Sequence, residues 1–127
     1  GYNNESQNQA VGIINYFDTD EGRIVGPINE GILSNCVIYG SLASEIGFDT
    51  IDEVNGTAIN LNFIIHHCLI KKEVIGTETF YTTGNIWNTD PQFDDITLNN
   101  FHFPSSSPLF GTADITRDIL SMNLIKV

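Results

Sequence analysis

The sequence predicts an all-β protein, a short right-handed parallel β-helix (solenoid) with a closing segment at its C-terminal end. The first reason is a repeat: residues 32–39 align with residues 64–71, placing Cys36 on Cys68. Both copies are apolar on both faces, which is typical of parallel strands. The connection between the copies is too long for a hairpin and has no helical period, so the strands are expected to stack as a coil. A right-handed coil is expected because parallel crossovers take that hand.

The individual elements follow from apolar runs that end at turn residues. A first strand is predicted over residues 11–17 and stops at the acidic turn 18–22. The segment Asn55-Gly56 is the one tight hairpin signal in the chain. Residues 1–10 are polar and are expected to fray. The remaining predicted strands cover residues 23–25, 31–39, 62–70, 80–87, 96–98 and 123–127.

Length and charge limit the classes of function. A chain of 127 residues forms one domain, here residues 1–127. Its net charge is −11 and it has five basic residues, so nucleic acid, an anionic membrane surface and polyanionic sugars are disfavoured partners. The apolar runs fall short of the roughly 20 residues of a membrane span, so no membrane insertion is expected.

Three phrases resemble known β-helix proteins. The sequence of residues 35–40, Asn-Cys-Val-Ile-Tyr-Gly, followed by Glu45-Ile46, resembles a rung of the pectate-lyase-like superfamily. The phrases Asp90-Pro91-Gln92-Phe93 and Ser107-Pro108 resemble the closing rungs of bacterial surface or secreted members. The resemblance covers residues 31–115 and implies that the chain holds the C-terminal rungs of such a protein, with an extracellular or cell-surface location.

The resemblance implies a non-catalytic module that binds carbohydrate or a component of the cell envelope. Two alternatives stay open: a C-terminal fragment of a polysaccharide-degrading lyase or glycoside hydrolase, and a structural, adhesin-like stalk. No catalytic motif of those enzymes matches this chain, so no activity is expected of the chain alone. The candidate acids are Asp49, Asp52, Asp94 and Asp95, since glycosidases use paired carboxyls. The candidates for stacking on a sugar ring are Tyr39, Tyr81 and Trp87.

Thiols and imidazoles suggest no metal centre. Cys36 and Cys68 are expected to be free thiols, stacked one rung apart, because parallel Cβ vectors fit a disulfide poorly. His66 and His67 are adjacent in a predicted strand, where neighbouring side chains point to opposite faces, so we expect them not to share a metal. Asp18 and Asp20 form a weak Ca²⁺ candidate, since the EF-hand spacing is incomplete.

The N-terminal end of a short coil is expected to leave a strand edge and part of the core open. We predict that the end near residues 11–17 is covered by the chain's own polar segment or by a second copy. A homodimer through this end is one way to close it.

Overall fold

A computed structural model describes residues 8–117, and it confirms the all-β prediction. Within this range the regular structure consists of eleven strands and two short 3₁₀ helices at Ile96–Leu98 and Ile115–Arg117. No helix in the described range is long and apolar enough to cross a membrane. The strands are β1 Val11–Ile14, β2 Tyr16–Thr19, β3 Gly22–Val25, β4 Ile28–Ser34, β5 Val37–Ile38, β6 Ile46–Asp49, β7 Glu53–Val54, β8 Thr57–Ala58, β9 Leu61–His66, β10 Leu69–Ile70 and β11 Ile86–Trp87.

The two copies of the repeat pair with each other in parallel. Strand β4 pairs with β9, and β5 pairs with β10, with Val37 opposite Leu69. This is the register that the aligned cysteines predict. Strand β1 pairs with β6 in the same parallel sense, with Val11 opposite Ile46. Three strands, β1, β4 and β5, therefore lie in parallel beside strands that follow about one repeat later.

A third, shorter layer lies against the second copy. Strand β11 pairs in parallel with β10, and Tyr81 forms a parallel bridge to Ile65. The backbone N–H of Ile86 donates to the carbonyl of Cys68 at 2.8 Å. The predicted strand over residues 80–87 is thus reduced to the bridge at Tyr81 and to β11, separated by a turn at Thr83-Gly84.

Two antiparallel hairpins project from these layers. Asn55-Gly56 joins β7 to β8, as its turn signal predicts. The acidic turn joins β2 to β3 in a second hairpin, where the sequence predicts only the end of a strand. The predicted strand over residues 11–17 is interrupted at Asn15. The side-chain oxygen of Asn15 accepts from the N–H of Ile51 at 2.7 Å, and its amide donates to the Gly26 carbonyl at 2.9 Å. These bonds mark the point where the chain leaves β6 and begins to pair with β3.

The core lies between the layers and continues into an aromatic cluster. Its most buried members are aliphatic residues and one thiol: Ile38, Ile46, Ile65, Cys68 and Ile70. The rings of Phe48, Phe63 and Phe80 lie beside it, with Phe63 and Phe80 centroids 4.5 Å apart. Burial of these side chains is the main source of stability, because each fully buried large apolar side chain contributes roughly 1.5–3 kcal/mol.

The segment after β11 is mostly irregular and folds back on itself. The Ser107 hydroxyl is buried and donates to the Pro91 carbonyl at 2.6 Å, so two of the phrases that carry the family resemblance contact each other. The predicted strand over residues 96–98 is wrong: these residues form a 3₁₀ turn. Asp95 accepts from the Thr97 N–H at 3.0 Å and caps this turn, because a short carboxylate competes for backbone donors that a strand would use. The strand predicted over residues 123–127 lies outside the described residues.

The N-terminal side of the described structure has an apolar opening. Within the described residues, β1 and β4 each pair along one edge only. Side chains of β1, β4 and β9 line a cavity of about 250 Å³ there, and Ile32 at its rim is 39% exposed. The polar segment expected to cover this end falls largely on residues 1–7, outside the described range.

Candidate functional site

The most unusual local geometry occurs at one corner of the layers, where β4 meets β5 and β9 meets β10. Asn35 and His67 occupy equivalent places at this corner, with φ values of 56° and 51°. In the third layer, Gly84 lies at the corresponding turn with φ of 78°. The left-handed conformation suits Asn and Gly and costs most other residues about 1–2 kcal/mol. The corner therefore holds a histidine where the first copy has an asparagine.

The left-handed turn brings two imidazoles together, and the prediction that His66 and His67 point to opposite faces is wrong. Their Nδ1 atoms lie 2.8 Å apart and their rings are nearly perpendicular, with centroids 5.1 Å apart. The physical reason is that β9 ends at His66, so the alternation of side chains stops there. The positive φ of His67 then turns its ring back toward its neighbour.

A carboxylate from the segment that follows β11 completes the group. Asp114 Oδ2 lies 3.8 Å from His66 Nδ1, and the ligand atoms of the three residues all lie within 4.8 Å of one another. The Asn35 side chain positions this carboxylate through two bonds to the backbone of Asp114, at 2.7 and 3.0 Å. Asn35, the left-handed residue of the first copy, thus holds Asp114 beside His67, the left-handed residue of the second copy.

The environment of the Asp114 carboxylate favours its charged form. Hydrogen bonds from the hydroxyl and the N–H of Thr116 lower the pKa of Asp114, and the two histidines add to this effect. Both Thr116 bonds end on Oδ1, at 2.6 and 3.0 Å, which leaves Oδ2 as the oxygen that faces the imidazoles. The carboxylate therefore has one oxygen fixed by the chain and one directed toward the histidine pair.

The His67 ring is enclosed on one side and borders a cavity on another. A Cβ atom added to Gly84 would lie 2.5 Å from His67 Cδ2, so the glycine leaves space for this ring. The ring also lines a cavity of about 130 Å³, together with Cys36, Phe103 and Leu109. His66 is buried, with 7% of its surface exposed. The group is thus partly shielded, and a cavity large enough for a few water molecules lies beside it.

The sequence contained only part of this arrangement. The alignment of His67 with Asn35 was visible, but an aligned polar residue does not reveal a left-handed backbone. Asp114 lies 79 residues from Asn35, and no local pattern links the two. In each copy the longer strand ends at the first of two polar residues, Ser34-Asn35 or His66-His67, and the second of them adopts the left-handed turn. This aligned position is the sequence signal that points to the corner.

A second, separate feature is an aromatic cleft, which we define by Tyr39, Ser41, Asp90, Phe93 and Phe101. Its volume is about 450 Å³. Tyr39 is one of the predicted sugar-stacking residues and is 37% exposed. The Phe93 and Phe101 rings meet edge to face at 5.4 Å on the opposite wall.

The cleft also has polar groups at its rim. The Lys71 ammonium lies over the Tyr39 ring, 5.2 Å from its centroid, and donates to the Gly40 carbonyl at 2.7 Å. The Asp90 carboxylate accepts from the Gln92 N–H at 2.8 Å. Flat apolar faces beside fixed donors and acceptors form a surface that a sugar ring can fit.

The other two stacking candidates lie in the interior cluster. The Tyr81 and Trp87 rings meet edge to face at 4.9 Å, and Tyr81 also packs on Phe80 at 4.6 Å. Burial raises the pKa of Tyr81 to about 12. These contacts assign both rings to packing between layers, so Tyr39 alone lies in the cleft.

The predicted acids are spread over the chain. Asp49 is in β6 and accepts a hydrogen bond from the Tyr16 hydroxyl, while Asp52 is exposed just before β7. Asp94 is exposed, and Asp95 serves as the cap of the 3₁₀ turn. Among described residues, the one cluster of three or more potential metal-binding side chains is the histidine–aspartate group, which includes none of these acids. The enzyme alternative stays a prediction.

The Ca²⁺ candidate sits on the β2–β3 hairpin. Asp18 forms a two-point ion pair with Arg23, at 2.6 and 3.0 Å, and this pair lowers the pKa of Asp18. Arg23 also lies over the Tyr16 ring at 4.0 Å. The Asp18 carboxylate already has a cationic partner, and Asp20 lies in the exposed turn. Binding of Ca²⁺ there stays a prediction.

Both cysteines are free and lie at matching positions between the paired strands. Cys36 is partly exposed, whereas Cys68 is buried, with its Sγ 3.2 Å from the His66 carbonyl. Burial raises the pKa of Cys68 to about 11. The N–H of Leu69 donates to the Cys36 carbonyl at 2.9 Å, which sets the two thiols in adjacent layers.

Comparisons of the chain with protein-family models, curated proteins and solved structures find no match. The resemblance to the pectate-lyase-like superfamily therefore stays a prediction.

Proposed function

We propose that this chain is a non-catalytic, carbohydrate-binding module of a right-handed parallel β-helix protein located outside the cell or on its surface. The proposal for the coil is supported by three parallel strand pairs and by the short third layer on β10. A right-handed connection between paired parallel strands is the strongly preferred arrangement. A crystal structure with a left-handed crossover from β4 to its parallel partner β9 would refute this part of the proposal.

The observation that carries the binding function is the aromatic cleft. Tyr39 and the two phenylalanines supply apolar faces, and Asp90 and Ser41 supply polar atoms beside them. Apolar surfaces with a few polar groups are characteristic of small-ligand sites. Because the chain carries a net charge of −11, we propose neutral sugars as the ligand class rather than polyuronates.

A glycan array followed by calorimetry tests this function. Tyr39→Ala should weaken binding of the selected neutral glycan about tenfold, since loss of aromatic contact costs roughly 1–1.5 kcal/mol. Phe17→Ala is the matched control, because Phe17 is an exposed aromatic residue on the β2–β3 hairpin. An array without any bound glycan, or equal losses in the two variants, would overturn the proposal.

We also propose that a second copy of the chain covers the apolar N-terminal opening. Within residues 8–117 the outer edge of β4 pairs with no other strand, and a two-fold axis would bring the same edge of the partner against it. Light scattering should give the mass of a dimer for the wild type and of a monomer for Ile32→Lys. Ile24→Lys on the exposed hairpin serves as control and should stay dimeric. A monomeric wild type at high concentration would refute the dimer.

A further inference from the structure

We propose that His66, His67 and Asp114 form a binding site for one divalent transition-metal ion, with Zn²⁺ as the expected occupant. The inference rests on the corner of the coil and is independent of the carbohydrate cleft. Its starting point is that two imidazoles and one carboxylate, from segments far apart in sequence, present their ligand atoms to a common point.

The distances between the ligand atoms are close to those that a metal requires. The two Nδ1 atoms are 2.8 Å apart, and His66 Nδ1 is 3.8 Å from Asp114 Oδ2. Ligands about 2.0–2.2 Å from a tetrahedral Zn²⁺ lie roughly 3.3 Å from one another. The imidazole nitrogens must separate by about 0.5 Å, and Asp114 Oδ2 must approach His66 Nδ1 by a similar distance. The ligand atoms all lie within 4.8 Å of one another, so the carboxylate must approach His67 by at most about 1.5 Å.

The ligands are held in place by groups that do not themselves face the site. Asn35 forms two hydrogen bonds with the backbone of Asp114, and the Thr116 hydroxyl donates to Asp114 Oδ1. The other oxygen, Oδ2, is therefore available to a cation. His66 is fixed at the end of β9 by pairing opposite Ser34, and Gly84 leaves the space that the His67 ring occupies. Such outer contacts orient metal ligands and add to affinity.

The donor set selects the class of metal. Two imidazole nitrogens and one carboxylate oxygen suit Zn²⁺ and its transition-metal neighbours, whereas Ca²⁺ and Mg²⁺ prefer oxygen donors alone. Three protein ligands leave a fourth position for a water molecule. His67 also lines a cavity of about 130 Å³ that borders the group. The negative charge of the chain favours cations in general.

The competing explanation is a metal-free pair in which one Nδ1–H donates to the other Nδ1. A separation of 2.8 Å is compatible with that hydrogen bond. The two explanations differ in their consequences, because a pair that serves only as a hydrogen bond gives no saturable Zn²⁺ binding, whereas a metal site exchanges the hydrogen bond for the ion.

Titration of the whole chain, first stripped with a chelator, tests the site. Calorimetry with Zn²⁺ should give one site per chain, and Co²⁺ should develop the visible absorption of a four-coordinate nitrogen–oxygen complex. His67→Asn is the main variant, because Asn occupies the same left-handed position in the first copy. Asp114→Asn is the second, since it keeps the Oδ1 that accepts from Thr116. His102→Asn is the matched control, a histidine outside the group.

We expect Zn²⁺ affinity to fall by at least about tenfold in His67→Asn and in Asp114→Asn, since even the loss of outer contacts weakens metal sites about 10- to 100-fold. His102→Asn should bind as the wild type does. Far-ultraviolet circular dichroism of the metal-free variants checks that each is folded, and a folded result from either ligand variant suffices for the comparison. No saturable binding to the wild type at millimolar Zn²⁺, wild-type affinity in the two ligand variants, or an equal loss in His102→Asn would overturn the site.

Discussion

Replacement of Tyr81 by phenylalanine should stabilise the protein. Within the described residues the Tyr81 hydroxyl oxygen is buried and has no hydrogen-bond partner, while the ring packs against Phe80 and Trp87. An unpaired buried polar group costs about 1–3 kcal/mol, so Tyr81→Phe keeps the ring contacts and removes that cost. We expect a gain of about 1 kcal/mol in the free energy of unfolding, or roughly 3–5 °C in Tm for a chain of this size.

The same substitution should remove a loss of stability at alkaline pH. Burial raises the pKa of Tyr81 from 10.0 to about 12, so the folded state favours the neutral phenol. Its contribution is fully present below pH 10 and is lost as the pH rises toward 12. The complete linkage is about 1.4 kcal/mol per pH unit, and partial exposure to solvent reduces the loss to about 1–2 kcal/mol.

Urea denaturation at pH 8 and at several values between about 10 and 12 measures both effects. Tyr39→Phe is the matched control: its ring is exposed, so its stability should stay within about 0.5 kcal/mol of the wild type. If Tyr81→Phe loses about 1 kcal/mol or more, the hydroxyl has a partner and the assignment of an unpaired group is refuted. An unchanged alkaline loss in Tyr81→Phe would refute the titration argument separately.

Two further predictions concern the corner where β9 meets β10. Gly84→Ala should destabilise the protein by about 2–4 kcal/mol in urea denaturation, because it adds left-handed strain of about 1–2 kcal/mol to a clash with the His67 ring. Gly56→Ala has a similar φ and open space around it, so it should show the strain alone; equal effects in the two would contradict the clash. A thiol reagent should modify Cys36 well before Cys68 in the native protein, since Cys68 is 1% exposed and burial raises its pKa to about 11, and simultaneous modification of both would contradict this order.

The repeat was the part of the fold that the sequence predicted best. Aligned cysteines and aligned isoleucines correctly indicated parallel pairing of β5 with β10, because identical apolar positions in stacked strands face the same core. Asn55-Gly56 correctly indicated a hairpin, since this pair adopts the positive φ values that a tight turn requires. The Asn55-Gly56 signal is local and the repeat is visible by direct alignment, so both can be read from a single sequence.

The wrong predictions have two physical causes: a side-chain hydrogen bond at one position and a reversal of the backbone at the other. Residues 96–98 are apolar enough for a strand, but the Asp95 carboxylate caps a 3₁₀ turn instead. Strand alternation predicts His66 and His67 on opposite faces, but β9 ends at His66 and the alternation stops there. A backbone reversal at a single residue leaves hydrophobic periodicity almost unchanged, so periodicity alone cannot detect it.

The histidine–aspartate group depends on contact between the two copies of the repeat and the segment that follows β11. Asp114 reaches the histidines because Asn35, in the first copy, binds its backbone, and the histidines meet because the second copy has a left-handed residue at the same corner. Each part has a structural role alone: a turn in one copy, a turn in the next, and a segment after β11 that packs back on the two copies. Together they create an acid–imidazole cluster that none of the three segments encodes by itself. For this reason a site on paired, repeated strands is better sought at corners where the copies differ in one residue than along the strands that make the copies alike.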